Sequence, residues 1–156
     1  MAESEVVPVK VVLALIPRSD GKFVIIDRKI PHLHLRWAFP GGKTKPELHE
    51  TEEEAVVREA YEEVRLNVRV VGKLLERKHP DTLVPTVYFH CELIDDSQQP
   101  EIGEEYEISR VEWVPAAEVL ERFTSNVDPS IKDFVLSFNK DLEKEAISVN
   151  KNIKER

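Results

Sequence analysis

Three glutamates carry the chemistry that this sequence invites. Glu59, Glu62 and Glu63 stand at i, i+3 and i+4, which are neighbouring positions on one face of a helix. Carboxylates gathered this closely repel one another unless something positive sits between them. Hard divalent cations such as Mg²⁺ take oxygen ligands of this type and commonly bridge to substrate phosphates. Just upstream, Pro40-Gly41-Gly42 supplies a backbone turn, so the stretch from Trp37 to Leu66 joins a glycine turn to an acidic helix. Taken alone, such a face is more often simply solvated, with Arg58 and Arg65 available as partners.

The helix that must hold these carboxylates is well signalled. Thr51 followed by Glu54 fits a capping box, in which hydroxyl and carboxylate satisfy the free backbone donors of the first turn. Val56, Ala60 and Val64 recur every fourth residue and form an apolar stripe beside the acidic one.

Around this helix the chain reads as alternating strands and helices. Val6 to Ile16 and Phe23 to Ile26 are β-prone runs separated by Asp20-Gly21, the signature of a hairpin. Arg28 to Arg36 lacks periodicity and reads as a loop over the site, where His32 and His34 lack a third ligand at metal-binding spacing and read as solvated. Asn67 to Leu75 and Thr82 to Ile94 are strands. In the second, alternation places Val87, Phe89, Cys91 and Leu93 inward and Thr86, Tyr88, His90 and Glu92 on the opposite face. Asp95 to Glu107 carries six carboxylates in thirteen residues and is expected to be a mobile surface loop. A strand over Ile108–Val114 follows, then a helix opened by Pro115 and running to about Phe123. Asp128 caps a last helix extending to about Ala146. Residues 1–147 are read as one domain and 148–156 as a frayed tail.

Composition bounds the function. With 156 residues, 41% hydrophobic and 33% charged, the chain suits one folded domain. A formal net charge of −8 argues against nucleic-acid or membrane-surface binding, since both partners are polyanionic. Cys91, the single cysteine, can form no internal disulfide and falls on the inward face of its strand, so it reads as packing. With no secretory pattern at the N-terminus and no apolar run of membrane-spanning length, a cytoplasmic location is expected. The oligomeric state stays open, a homodimer included.

At this point the residues resemble the Nudix (MutT-like) hydrolases, whose signature runs G-x5-E-x7-R-E-U-x-E-E-x-G-U, with U bulky and apolar. Glu50, then seven residues, then Arg58-Glu59-Ala60-x-Glu62-Glu63-x-Arg65-Leu66 matches its second half. Two departures stand out: seven residues rather than five separate Gly42 from Glu50, and Arg65 replaces the motif glycine. Glycine at that point suits a left-handed helix end, which costs an ordinary residue about 1 kcal/mol or more. Asn67 is therefore expected to close the helix instead.

The resemblance implies a Nudix fold, an α/β/α sandwich around a mixed β-sheet, and Mg²⁺-dependent (or Mn²⁺-dependent) cleavage of a diphosphate linkage in a nucleoside diphosphate derivative. It implies Glu59, Glu62 and Glu63 as metal ligands, completed by the Gly42 (or Gly41) carbonyl. Glu50 and Arg58 become the pair that braces the site. Glu59 or a later-loop glutamate serves as base, with Glu107 ahead of Glu104 and Glu105. Arg28, Arg36, Lys43 and Lys45 are candidates to neutralise phosphates. Trp37, Phe39, Tyr88 and Phe123 are candidates to stack on a base, and Asn126 to read it. That set favours a purine nucleoside triphosphate, oxidised forms included, as small-molecule substrate. Dinucleoside polyphosphates and ADP-ribose are the enzymatic alternatives, and a non-catalytic nucleotide-binding module is the third.

Overall fold

Valine- and isoleucine-rich runs form the strands, and the elements follow in the order β1 (Val11–Leu15), β2 (Lys22–His32), β3 (Leu35–Ala38), β4 (Gly41–Lys43), α1 (Glu52–Val64), β5 (Val68–Lys78), β6 (Pro85–Leu93), β7 (Ile108–Pro115), α2 (Ala116–Arg122) and α3 (Pro129–Leu136). This is a computed structural model, and it describes residues 7–32 and 35–139. Four strands make a mixed sheet in the order β4-β1-β6-β5, and three make a second sheet in the order β3-β2-β7. The parallel pair is β1 with β6, with Val12 opposite Val87 and Ala14 opposite Phe89. The other pairings are antiparallel.

Two cores sandwich the strands between helices. On one side, Ala55, Val56, Ala60 and Val64 of α1 pack with Val12, Ala14, Val24, Ile26, Val87, Phe89 and Cys91. The expected apolar stripe and the inward Cys91 both lie here, and Cys91 is a free, buried thiol. On the other side, Leu15, Phe23, Ile25, Phe39 and Tyr88 meet Val119 of α2 and Ile131 and Val135 of α3. Each fully buried side chain of this size contributes on the order of 1.5–3 kcal/mol. No helix among the described residues is long and apolar enough to cross a membrane.

Several local expectations change. The Asp20-Gly21 turn forms, with Gly21 at φ 84° and Arg18 N–H donating to the Lys22 carbonyl at 2.7 Å. It links two different sheets, however, since beyond the Pro17–Phe23 bridge β1 pairs with β4 and β6 while β2 pairs with β3 and β7. Most of the segment 28–36 expected as a loop is strand: β2 continues to His32 and β3 begins at Leu35, with Asp27 opposite Trp37. Charge hid this strand, because fully buried Asp27 takes its hydrogen bonds from Arg36 and Arg110 rather than contributing an apolar side chain. His32 ends β2, and His34 lies outside the described residues. Both faces of β6 are buried, so Tyr88 is core rather than solvent-facing. The last helix stops at Leu136, and residues 140–156, with the expected tail, lie outside the described residues.

Candidate active site

The glycine turn is built for close approach. The Ala14 N–H donates to the Pro40 carbonyl at 2.8 Å, and Gly41 and Gly42 then pair with Leu13 and Val12. A Cβ on Gly41 would sit 2.0 Å from the Val12 carbonyl oxygen, and one on Gly42 would sit 2.4 Å from Glu59 Oε2. The turn therefore lies directly against the carboxylates of α1. The Gly41 N–H donates to Glu63 Oε1 at 3.1 Å.

Helix α1 starts as its sequence dictates. Glu54 N–H donates to Thr51 Oγ1 at 3.1 Å, and Thr51 N–H donates back to Glu54 Oε1 at 3.0 Å. A cap of this kind contributes about 1 kcal/mol. The helix ends at Arg65, whose φ of 59° and ψ of 28° are left-handed. Arg65 thus adopts the glycine conformation itself, and the expected closure at Asn67 does not occur. Its guanidinium lies 5.2 Å from the Tyr61 ring centroid, a contact that offsets part of the strain. The two-residue-longer loop folds into a short 3₁₀ turn, Pro46–Leu48, closed by His49 at φ 55°.

Arg58 organises the acidic face. Its Nε and Nη2 donate to Glu50, Nη1 donates to Glu59 at 2.8 Å and to Glu62 at 3.0 Å, and Nη2 also reaches the Lys43 carbonyl. Glu50 further accepts the Lys45 N–H at 3.1 Å, which ties the long loop to the same bracket. Hydrogen bonds from Arg58 hold the Glu50 carboxyl below its ordinary range. The Arg58 guanidinium, bound first to Glu50, is held above its own.

The carboxylates that converge are Glu59, Glu62 and Glu104, whose ligand atoms lie within 4.8 Å of one another. Glu104 comes from the acidic segment 95–107, which is docked rather than loose. Glu101 N–H donates to the Val64 carbonyl and Gly103 N–H to the Glu63 carbonyl, each at 2.9 Å, closing the open end of α1. Lys29 N–H donates to the Glu107 carbonyl at 2.8 Å and fixes the far side of the segment to β2. Glu104 joins the cluster, and Glu107, the first of the expected loop glutamates, lines the cleft beside it.

Burial and like charge act together here. Burial raises the Glu59 carboxyl against the opposing pull of Arg58. Glu63, 3% exposed, is pushed up to about 8 by burial, against the Gly41 hydrogen bond and the Arg28 charge. Glu104 is raised to about 7 by burial and by a hydrogen bond with Glu107, with Glu59 and Glu62 adding to it. This is a cluster of hard oxygen donors short of positive charge, which is what a small divalent cation requires. The donor set fits the metal that the sequence implies.

Above it opens a cleft of about 620 Å³, lined by the glycine turn, the four glutamates 59, 62, 63 and 104, Arg28, Lys43 and Lys45, with Tyr106 and Glu107 at its edge. Arg28, Lys43 and Lys45 therefore line the same cleft as the carboxylates. Arg36 does not, since it pairs with Asp27 at 2.8 Å. The aromatic candidates are occupied elsewhere. Phe39 is 2% exposed and Tyr88 4%, Phe39 lies edge-on to Phe123 at 4.8 Å, and Trp37 sits between the Arg110 and Arg122 guanidinia. Asn126 accepts from Arg77 Nη1 at 2.8 Å, and its backbone N–H binds Asp81. Sequence reading missed Tyr106, 93% exposed at the cleft. Its only signal was an aromatic residue amid the loop acids.

The family described as NUDIX domain matches residues 7–134. Comparison with curated proteins found no significant match. Among solved structures, the MutT protein of Methanosarcina mazei Go1 is 22% identical with a TM-score of 0.62, covering 85% of this chain and 94% of its own. A NUDIX hydrolase from Nitrosomonas europaea is 19% identical with a TM-score of 0.67, covering 85% and 72%. An ADP-ribose pyrophosphatase from Streptococcus suis 89-1591 is 19% identical with a TM-score of 0.55, covering 71% and 76%.

Proposed function

The chain belongs to the Nudix family, and from that premise we propose that it is a divalent-metal-dependent pyrophosphohydrolase acting on nucleoside triphosphates. The convergence of Glu59, Glu62 and Glu104 within 4.8 Å at the floor of a cleft carries this reading. Fold likeness does not choose the substrate, because similar structures bear names as different as MutT and ADP-ribose pyrophosphatase. The purine base, and its oxidised form, rest on the sequence resemblance alone.

In this reading Glu59, Glu62 and Glu104 hold Mg²⁺ or Mn²⁺, with Glu63 and the Gly42 carbonyl completing the site. When bound there, the ion would supply charge neutralisation for the diphosphate and acidification of a water. Arg58 fixes Glu59 and Glu62 in register with Glu50, as a forked guanidinium can and an ammonium cannot. Glu59 is engaged by Arg58 Nη1 at 2.8 Å and would be committed to the ion, which disfavours it as proton acceptor. Glu107, beside Glu104 in the cleft, would take the proton from the water whose oxygen attacks phosphorus, while the bridging P–O bond breaks and its electron pair leaves with the departing phosphate oxygen. Arg28, Lys43 and Lys45 bind the phosphate oxygens and orient the chain of phosphates.

A panel of nucleoside triphosphates, ADP-ribose and diadenosine polyphosphates, assayed with Mg²⁺ or Mn²⁺ and with products identified, tests the proposal. Release of pyrophosphate and a nucleoside monophosphate is the expected result. Turnover of ADP-ribose or a diadenosine compound alone would overturn the triphosphate assignment, and no turnover of any compound would overturn the whole reading.

A further inference from the structure

Gly103 occupies a spot where only glycine fits. A Cβ there would lie 1.9 Å from the Glu62 carbonyl oxygen and 2.9 Å from its carbon. These are backbone atoms in the last turn of α1 and have no room to yield. The reason is proximity, since the positive-φ residues among those described do not include Gly103. On its other side, the Gly103 N–H donates to the Glu63 carbonyl at 2.9 Å. The next residue in the chain is Glu104, whose carboxylate meets those of Glu59 and Glu62. Residues 62 and 63 therefore serve the site twice. Their side chains face the cleft, and their main-chain carbonyls are the seat on which the neighbouring loop rests.

We propose that Gly103 is the positioning residue that brings Glu104 into the carboxylate cluster, by letting the loop seat directly on the C-terminal turn of α1. The inference rests on the cluster being the metal site. The loop has no strand or helix of its own to fix Glu104, so its placement comes from docking contacts: Glu101 and Gly103 on α1 and Lys29 on β2, with Gln98 bonded to Asn67, Asp96 to Ser19, and Ile102 packed on the core. Of these, the Gly103 contact is adjacent to the ligand and cannot survive an added methyl group. Seating and cation binding are thereby coupled, and such coupling is reciprocal: if seating aids the cation, the cation must stabilise the seat.

Mn²⁺ binding followed by electron paramagnetic resonance, with the purified full chain, tests this. Gly103→Ala is expected to weaken Mn²⁺ binding by about tenfold or more, the loss typical when a group that orients a ligand is removed. Glu104→Gln should weaken it as well, and the double variant should bind no more weakly than Glu104→Gln alone, because Gly103 acts through Glu104. Gly72→Ala, where a Cβ meets nothing within 4 Å, is the matched control and should bind like wild type. Wild-type affinity in Gly103→Ala, or losses that simply add in the double variant, would overturn the inference while leaving the metal site standing. Failure of the wild type to bind Mn²⁺ would overturn both. A second measurement needs no variant: Mg²⁺ should slow hydrogen exchange at the Gly103 and Glu101 amides of the wild type. Exchange unchanged at saturating Mg²⁺ would overturn the coupling even if Gly103→Ala fails to fold.

Discussion

Arg58 grips Glu50 with two hydrogen bonds, Nε at 2.9 Å and Nη2 at 2.6 Å, across eight positions of sequence. The remaining nitrogen is thereby turned toward Glu59 and Glu62, so one guanidinium sets the distance between the long loop and the acidic face. Lysine keeps the charge but has no fork. Arg58→Lys should lower kcat about 10- to 100-fold with the fold intact, as checked by steady-state kinetics alongside circular dichroism. Full activity would show that the bracket is incidental.

The two glycines of the turn should fail differently. Gly42→Ala places its methyl group against the Glu59 carboxylate, a side-chain end that can swing away, so activity should fall by about tenfold or more with little change in Tm. Gly41→Ala drives its methyl group into the Val12 carbonyl, breaking the β1–β4 pairing, and should lower Tm as well. Thermal melts and kinetics on both variants separate the two effects. Equal Tm losses would contradict the distinction.

Stability of the metal-free protein should fall as pH rises. Glu63 titrates from an ordinary 4.5 in the unfolded chain to about 8 in the folded one, chiefly through burial. Between those values the folded state keeps a proton that the unfolded state has lost, so its contribution is full below pH 4.5 and gone above pH 8. The slope cannot exceed about 1.4 kcal/mol per pH unit for one group. Urea denaturation in EDTA at pH 5.5 and pH 8 should show the decline, and Glu63→Gln should flatten it. An identical decline in Glu63→Gln would refute the assignment to Glu63.

The end of α1 makes an opposite pair of variants informative. Arg65 bears left-handed strain of about 1 kcal/mol or more, partly offset by the Tyr61 contact, worth about 0.5–1 kcal/mol at an exposed site. Arg65→Gly removes both and should change stability by less than about 1 kcal/mol. Arg65→Ala keeps the strain and loses the contact, and should be less stable than wild type and than Arg65→Gly. Chemical denaturation of the three proteins gives the order.

What the sequence determined by itself was the family, with its α/β/α fold around a mixed sheet, and the local structure of α1. Thr51 and Glu54 start α1, its apolar period faces the core, and the spacing of Glu50, Arg58, Glu59, Glu62 and Glu63 specifies a braced acidic face, because side chains three and four apart on a helix must be neighbours. Tertiary structure decided everything that depends on what lies across the fold. Strand 28–32 was hidden since Asp27 is buried by pairing with Arg36 and Arg110 rather than by being apolar. For Tyr88 and Phe39 the sequence left stacking on a base and core packing both open, and the second helical layer places them in the core. Among four loop glutamates of similar chemistry, Glu104 meets Glu59 and Glu62 because Gly103 rests on the end of α1. No periodicity records such a contact, since it joins a loop to the backbone carbonyls of a helix some forty residues away, and backbone atoms are the same in every sequence.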